Sequence, residues 1–251
     1  GLIYNARDMA IARASFEDIP IHLVTSIPSL ETYNNIKNKK YKLTKIKSRF
    51  SNFPLPETKI KNLNFSNLKK DENIDLETIK IVSKYLEKKE QVLFFLNRRG
   101  YAPFMICKNC GYKHSCPNCS IYLTYHKSMN ILICHHCGFK AKKEKKCTIK
   151  DDFCDFNTYG PGVEKIYEEL KIKFPKKNIK IFSSDFLKNK KENIKIIKQI
   201  EDNQINILVG TQMISKGFNF PKLNCIVVVD ADFSGKGYDL RTTEKNIQLY
   251  N

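Results

Sequence analysis

Eight of the chain's nine cysteines lie between Cys107 and Cys154. They run as Cys107-Lys108-Asn109-Cys110, Cys116-Pro117-Asn118-Cys119 and Cys134-His135-His136-Cys137, followed by Cys147 and Cys154. Two residues between cysteines let the backbone fold into a tight knuckle with both thiolates aimed at one ion, and two knuckles make a tetrahedral four-sulfur site. Gly111 and Gly138 directly follow two of the pairs, where the knuckle turn calls for positive φ. Eight sulfurs suffice for two zinc ions. Four cysteines also hold an iron–sulfur cluster; repeated two-residue knuckles on ribbon-like strands favour zinc. His114, His126, His135 and His136 are rival nitrogen donors, but with eight cysteines at hand they are expected to be exposed or hydrogen-bonded instead. Cys147 and Cys154 have six residues between them rather than two, which makes that pair the least regular part of the array.

A second set of residues has the chemistry to hold a phosphate backbone. In Ile207-Leu208-Val209-Gly210-Thr211-Gln212, an apolar run ends in a hydroxyl and an amide. If the run is a strand, both stand at its carboxyl end, where open α/β sheets place ligands. There they bond phosphate oxygens without reading bases. Gly217, a few residues on, allows close backbone approach. Arg98 and Arg99 follow another apolar run, Val92-Leu93-Phe94-Phe95-Leu96, and are candidates for the same rim. An ordinary strand–loop turn and an exposed or internally paired arginine pair are the plainer readings.

These residues need a scaffold, and apolar spacing outlines one. Asp75 can cap a helix whose apolar positions are Leu76, Ile79, Val82, Tyr85 and Leu86. Val92–Leu96 reads as a strand covered on both faces. About fifty cysteine-rich residues then interrupt the rhythm. It resumes after Gly160-Pro161-Gly162 with a helix from Val163 to Phe174, a strand Ile179–Phe182, a basic helix reaching Asp202, and strands Ile205–Val209 and Cys225–Val229. Cys225 is expected to be an inert core thiol. Strands alternating with helices imply a parallel sheet, and a loop tip tolerates an inserted module. Near the start, Ile21–Val24 reads as a short strand and a polar helix runs from Ser29 to Lys40. Phe53-Pro54-Leu55-Pro56 marks a linker.

Composition narrows the class of protein. There is no run of 18 apolar residues, so no transmembrane helix is expected. Secreted disulfide scaffolds are short and spread their cysteines, whereas here only Cys225 lies outside the cluster, so a reducing cytoplasm is expected. The net charge of +18 suits a polyanion such as nucleic acid, though heavy use of Lys, Ile and Asn throughout is also what an A- and T-rich genome would produce.

The motif segments resemble a known family. Ile207 to Pro221 looks like motif V of a superfamily 2 helicase. Phe94-Phe95-Leu96-Asn97-Arg98-Arg99-Gly100-Tyr101-Ala102-Pro103, leading into the first knuckle, is similar to the primosomal protein N′ (PriA) family of replication-restart DNA helicases. So are Tyr4-Asn5-Ala6-Arg7-Asp8-Met9-Ala10, Arg13-Ala14, Pro28-Ser29-Leu30-Glu31-Thr32, Gly160-Pro161-Gly162-Val163-Glu164 and Asp230-Ala231-Asp232.

The resemblance implies an α/β fold: a RecA-like parallel-sheet helicase lobe with an inserted zinc-ribbon module, plus the end of a preceding RecA-like lobe. On that pattern residues 1–48 end the first lobe, 49–74 are a linker, 75–104 begin the second lobe, 105–155 are the zinc module, and 156–251 continue the second lobe. It implies nested zinc sites: an outer one of Cys107, Cys110, Cys147 and Cys154, and an inner one of Cys116, Cys119, Cys134 and Cys137. It implies an ATP- and Mg2+-dependent 3′→5′ helicase acting on forked or single-stranded DNA, with primosome proteins and single-stranded DNA-binding protein as partners. Thr211, Gln212, Arg98 and Arg99 would contact DNA, and Gly217 would serve nucleotide coupling.

Two features depart from that pattern. Val24-Thr25-Ser26-Ile27-Pro28 stands where the family has Gly-Ser-Ala-Thr-Pro. No glycine-rich phosphate loop with Lys-Ser/Thr is present. The chain is therefore expected to be a piece of a longer helicase, without ATP hydrolysis of its own. The rival reading is a free-standing zinc-ribbon module that binds nucleic acid or a protein without ATP.

Overall fold

A computed structural model describes residues 4–46, 54–62, 72–96, 104–108, 110–119, 121–143, 155–182, 190–211, 214, 220–231 and 241–250. The chain forms two compact units, Gly1–Glu57 with Asp239–Asn251, and Thr58–Tyr238.

The first unit holds three helices among the described residues: α1 (Ala6–Phe16), α2 (Leu30–Lys37) and α6 (Thr242–Tyr250). Local capping starts two of them. The Asn5 side chain accepts from the Arg7 and Asp8 N–H groups, and the Ser29 hydroxyl accepts from the Thr32 N–H, each satisfying orphan donors of a first turn. Side chains then tie the helices together. Arg7 reaches the Ser29 hydroxyl and lies 3.7 Å from Glu31. Arg241 also pairs with Glu31, and Glu244 accepts the Leu30 N–H at 3.1 Å. So α6, distant in sequence, groups with α1 and α2. Ile21–Val24 corrects an expectation: it forms no strand and is exposed. Such a short run makes a strand only when a neighbour supplies ladder hydrogen bonds, and none does among the described residues.

The second unit is built on a four-stranded parallel sheet in the order β7-β8-β1-β9, where β1 is Gln91–Phe95, β7 Ile179–Phe182, β8 Ile207–Gly210 and β9 Leu223–Val228. Parallel pairing sets Phe94 opposite Val209 on one side and Val227 on the other. Every residue of β1 is buried, as its apolar run Val92–Phe95 requires. Helices α3 (Leu76–Glu87) and α4 (Val163–Lys173) share one core with the sheet through Val82, Leu86, Val163, Ile166 and Leu170. Helix α5 (Lys190–Glu201) precedes β8. Cys225 packs partly buried against the core, while Ile226 on the other face of edge strand β9 is 60% exposed.

Three buried polar groups hold the frame. Asp75 caps α3, accepting from the Glu77 N–H and the Thr78 hydroxyl and pairing with Lys61. Burial pushes its carboxyl up, but Lys61, Thr78 and the Glu77 N–H together hold it below the usual carboxylate range. Glu169 on α4 accepts the Asn73 and Ile74 N–H groups at 3.0–3.1 Å, so the segment entering α3 is anchored rather than loose. Gln91, 1% exposed, donates its amide to the Ile200 and Ile205 carbonyls at 2.8 and 2.9 Å, tying the end of α5 to the sheet. Gln91→Leu keeps the bulk and removes both donors, so urea unfolding should show a loss of about 2 kcal/mol.

Between β1 and α4 sits an antiparallel module: β2 (Phe104–Cys107), β3 (Thr124–His126), β4 (Ile131–Ile133), β5 (Lys140–Lys142) and β6 (Phe156–Tyr159). β3, β4 and β5 form one sheet, and β2 pairs with β6 to form a neck, with Phe104 opposite Tyr159 and Cys107 opposite Phe156. The module's entry and exit thus run side by side, so it fits into the parallel sheet's loop without parting its strands.

Candidate metal centre and nucleic-acid interface

Three knuckles share one backbone design. The N–H of Cys107, Cys116 and Cys134 each donates to the carbonyl five residues on, in Tyr112, Ile121 and Phe139, at 2.7–2.8 Å. In the first and third, the Gly111 and Gly138 N–H groups return to the Cys107 and Cys134 carbonyls at 2.9 Å, with φ of +73° and +80°. A Cβ at either glycine would meet nothing within 4 Å, so conformation and not space selects glycine there.

Cys116, Cys119, Cys134 and Cys137 converge: their sulfurs all lie within 4.8 Å of one another. Cys116–Cys137 and Cys119–Cys134 are 3.4 Å apart and Cys119–Cys137 3.8 Å. Four sulfurs about 2.3 Å from a central ion, in tetrahedral array, lie about 3.8 Å from one another, so the set fits a single zinc. A multi-iron cluster, with its ligating sulfurs on separate irons, needs a wider spread. Met105, Leu123, Tyr125 and Leu132 pack around the buried Cys116 and Cys134. Burial raises the Cys134 thiol, but the Cys137 and His136 N–H groups, with the neighbouring thiols, bring it down to about 6. Cys119 is pushed up to about 12, by burial first and then by Cys134. Crowded sulfurs of this kind give up their later protons only when a cation joins them.

Cys107 and Cys110 form the first knuckle, with Cys107 buried against Phe156. Cys147 and Cys154 lie outside the described residues. His126 is fully buried, with its Nε2 3.0 Å from Nε2 of His135, and His114 lies between the rings of Tyr112 and Phe156. Among the described residues no histidine joins the four-sulfur group; His126 and His135 are hydrogen-bonded to each other and His136 is exposed, whereas His114 is half-buried and held by its ring contacts.

On the sheet, Thr211 follows Gly210, the last residue of β8, and so stands at the carboxyl edge, 6% exposed. Gln212, Gly217, Arg98 and Arg99 lie outside the described residues. The residues that spacing did not reveal are Glu164 and Glu169, both buried on α4. Their only signal is a carboxylate on the face of a helix that also presents Val163, Ile166 and Leu170 to the core.

Comparison with known proteins agrees with this geometry. Residues 116–142 match the PriA DNA helicase Cys-rich region (CRR) domain, a zinc ribbon, and residues 153–248 match the helicase conserved C-terminal domain. Replication restart protein PriA of Rickettsia felis is 41% identical over 251 residues, covering 99% of this chain and 38% of the relative. The protein of the same name from Haemophilus influenzae is 33% identical over 98% of this chain and 33% of the relative. That from Bacillus subtilis is 31% identical, over 98% and 31%. The chain thus spans between about a third and two-fifths of the length of these curated relatives. Its similarity runs nearly end to end and includes both the zinc ribbon and the helicase domain, and on that ground the chain belongs to the PriA family of replication restart proteins, of which it spans a section.

Proposed function

We propose that the chain supplies the second motor lobe and zinc module of an ATP-dependent 3′→5′ DNA helicase that restarts stalled replication forks and promotes primosome assembly. The observation that carries this reading is the parallel sheet bearing Thr211 at the carboxyl edge of β8, within a stretch that matches a helicase C-terminal domain. A motor lobe grips the backbone of a strand whatever its sequence, so its contacts go to phosphates. Thr211, Gln212, Arg98 and Arg99 are assigned that role, and Gly217 the coupling to nucleotide. ATP and Mg2+ act in the longer protein; this chain lacks a glycine-rich phosphate loop. Forked or single-stranded DNA is the substrate, with primosome proteins and single-stranded DNA-binding protein as partners in the cytoplasm. No helix among the described residues is long and apolar enough to cross a membrane.

Two zinc ions are assigned per chain. The inner site takes Cys116, Cys119, Cys134 and Cys137. The outer takes Cys107, Cys110, Cys147 and Cys154. Support for the outer set comes from Asp155, one peptide bond from Cys154, whose carbonyl accepts the Lys108 N–H at 2.9 Å beside the first knuckle. When bound, zinc pins pairs of knuckles together and takes no part in chemistry.

Thr211→Ala tests the motor reading in the longer protein. Unwinding should fall at least about tenfold while the salt dependence of DNA affinity stays unchanged, because much of the affinity comes from many redundant lysines. Measuring ATP hydrolysis, unwinding and binding on one preparation separates the effects. Normal unwinding by the variant would remove Thr211 from the mechanism.

A further inference from the structure

Among the described residues, the β3–β4 hairpin of the zinc module meets α4 of the parallel-sheet domain. His126, Lys127 and Ser128 are consecutive, at the end of β3 and the turn into β4. All three meet the first half of α4. The Ser128 N–H donates to Oε2 of Glu164 at 3.2 Å, and Nδ1 of His126 lies 3.3 Å from Oε1 of the same carboxylate. One turn further on, Nζ of Lys127 donates to both oxygens of Glu168, at 2.7 and 3.0 Å.

These contacts differ in weight. Lys127 and Glu168 have side chains 48% and 46% exposed, so water screens their pair and it contributes little. His126 and Glu164 are 0% and 6% exposed. A carboxylate that dry is tolerated only when its partners are in place, and leaving it without them is expensive. Burial pushes the Glu164 carboxyl up, while His126 and the Ser128 and Lys127 N–H groups hold it below its ordinary range. Glu164 lies in the first turn of α4, where the helix dipole also favours a negative charge. Its N-cap residue, Gly162, has no side chain to cap the helix, and Glu164 turns to the hairpin.

The chain of contacts continues to the metal site. The far nitrogen of the His126 ring, Nε2, is 3.0 Å from Nε2 of His135, which lies inside the Cys134–Cys137 knuckle. The bond between the two Nε2 atoms needs a proton on one of them, and the other ring nitrogen of His126 stays close to the Glu164 carboxylate. A continuous path thus joins the knuckle that closes on the ion to the first turn of the helix that packs on the sheet.

We infer that Glu164 and His126 are positioning residues that latch the zinc module to the parallel-sheet domain, and that the four-sulfur site governs this latch through His135. Neither residue is a metal ligand, and the latch does not depend on the helicase reading, since it can be read without DNA or ATP.

Hydrogen exchange on the whole 251-residue chain, with zinc measured in parallel, tests this. In Glu164→Ala, amides of 124–133 and of the first turn of α4 should exchange at least about tenfold faster, because a buried charge-assisted contact is lost. Zinc content and the exchange of β7 and β8 should stay as they were. Glu164→Gln keeps an acceptor for the Ser128 N–H and should restore part of the protection; it also serves if Glu164→Ala fails to fold. Stripping zinc from the unaltered chain should loosen the first turn of α4 as Glu164→Ala does. Protection within twofold of the unaltered chain in both Glu164 variants would overturn the latch. So would loss of zinc in Glu164→Gln, or equal loosening across the whole sheet. An undisturbed α4 after zinc removal would overturn control by the metal.

Discussion

Replacing Cys134 by Ser should lower the zinc content of the chain from two ions to one and unfold the β3–β4–β5 sheet. Cys134 is the most enclosed of the four inner ligands, at 0% exposure, and its backbone makes both knuckle hydrogen bonds. The apolar side chains of its cluster are few: Met105, Leu123, Tyr125 and Leu132 are buried, and Phe139, Ala141 and Phe156 pack partly buried against them. A core that small does not offset the entropy of ordering some forty residues. The metal must supply the difference, and structural zinc in small ribbons is worth roughly 10–16 kcal/mol at neutral pH. Elemental analysis should give one zinc for the variant against two for the unaltered chain. Far-ultraviolet dichroism should show lost strand signal with the helices kept. Retention of two zinc ions would remove Cys134 from the ligand set, and one zinc in the unaltered chain would remove the outer site.

Phe94→Ala should act on the other half of the unit. Phe94 is central in β1, fully buried, and flanked in the ladder by Val209 and Val227. It shares its core with Val82 and Leu86 of α3 and with Ile166 and Leu170 of α4. Removing a ring there loses its transfer energy and leaves a void lined by residues fixed in strands and helices, which relax little. The expected cost is about 4 kcal/mol. Urea unfolding of the parallel-sheet domain would register it as a shifted midpoint. Zinc content should be unchanged, because the module has its own core. A loss under about 1 kcal/mol would mean that the site collapses around the missing ring.

How much of this was legible in sequence depends on the reach of each interaction. Knuckles are local: two residues between cysteines, with a following glycine at Gly111 and Gly138, announce the turn and the sulfur donors, whereas the grouping of Cys116 and Cys119 with Cys134 and Cys137 came from the family resemblance. The α3 cap at Asp75, the strand Ile179–Phe182 and the start of α4 at Val163 are local too, set by capping and by periods of two or 3.6 residues. Glu169 and Gln91 are another matter. Their partners lie 96 and 109 residues away, so nothing nearby marks a buried carboxylate or amide as satisfied rather than exposed. Ile21–Val24 fails for the converse reason. Its residues suit a strand, but strand formation is a property of a pair, and the second member is not among the described residues. Thr211 was placed correctly at a strand end because an apolar run stopping at a polar pair is itself a local signal.

The β2–β6 neck has a mechanical consequence. Both strands run between the sheet domain and the module, so a pull on the module loads two backbones in tension, and the hydrogen bonds between them carry almost nothing. Extended strands are already near their full length at about 3.4 Å per residue, so neither can stretch. Bending the ribbon within its own plane would require one strand to lengthen against the other and is therefore stiff. Bending it out of plane needs only small backbone rotations. The neck behaves as a leaf spring with one compliant direction.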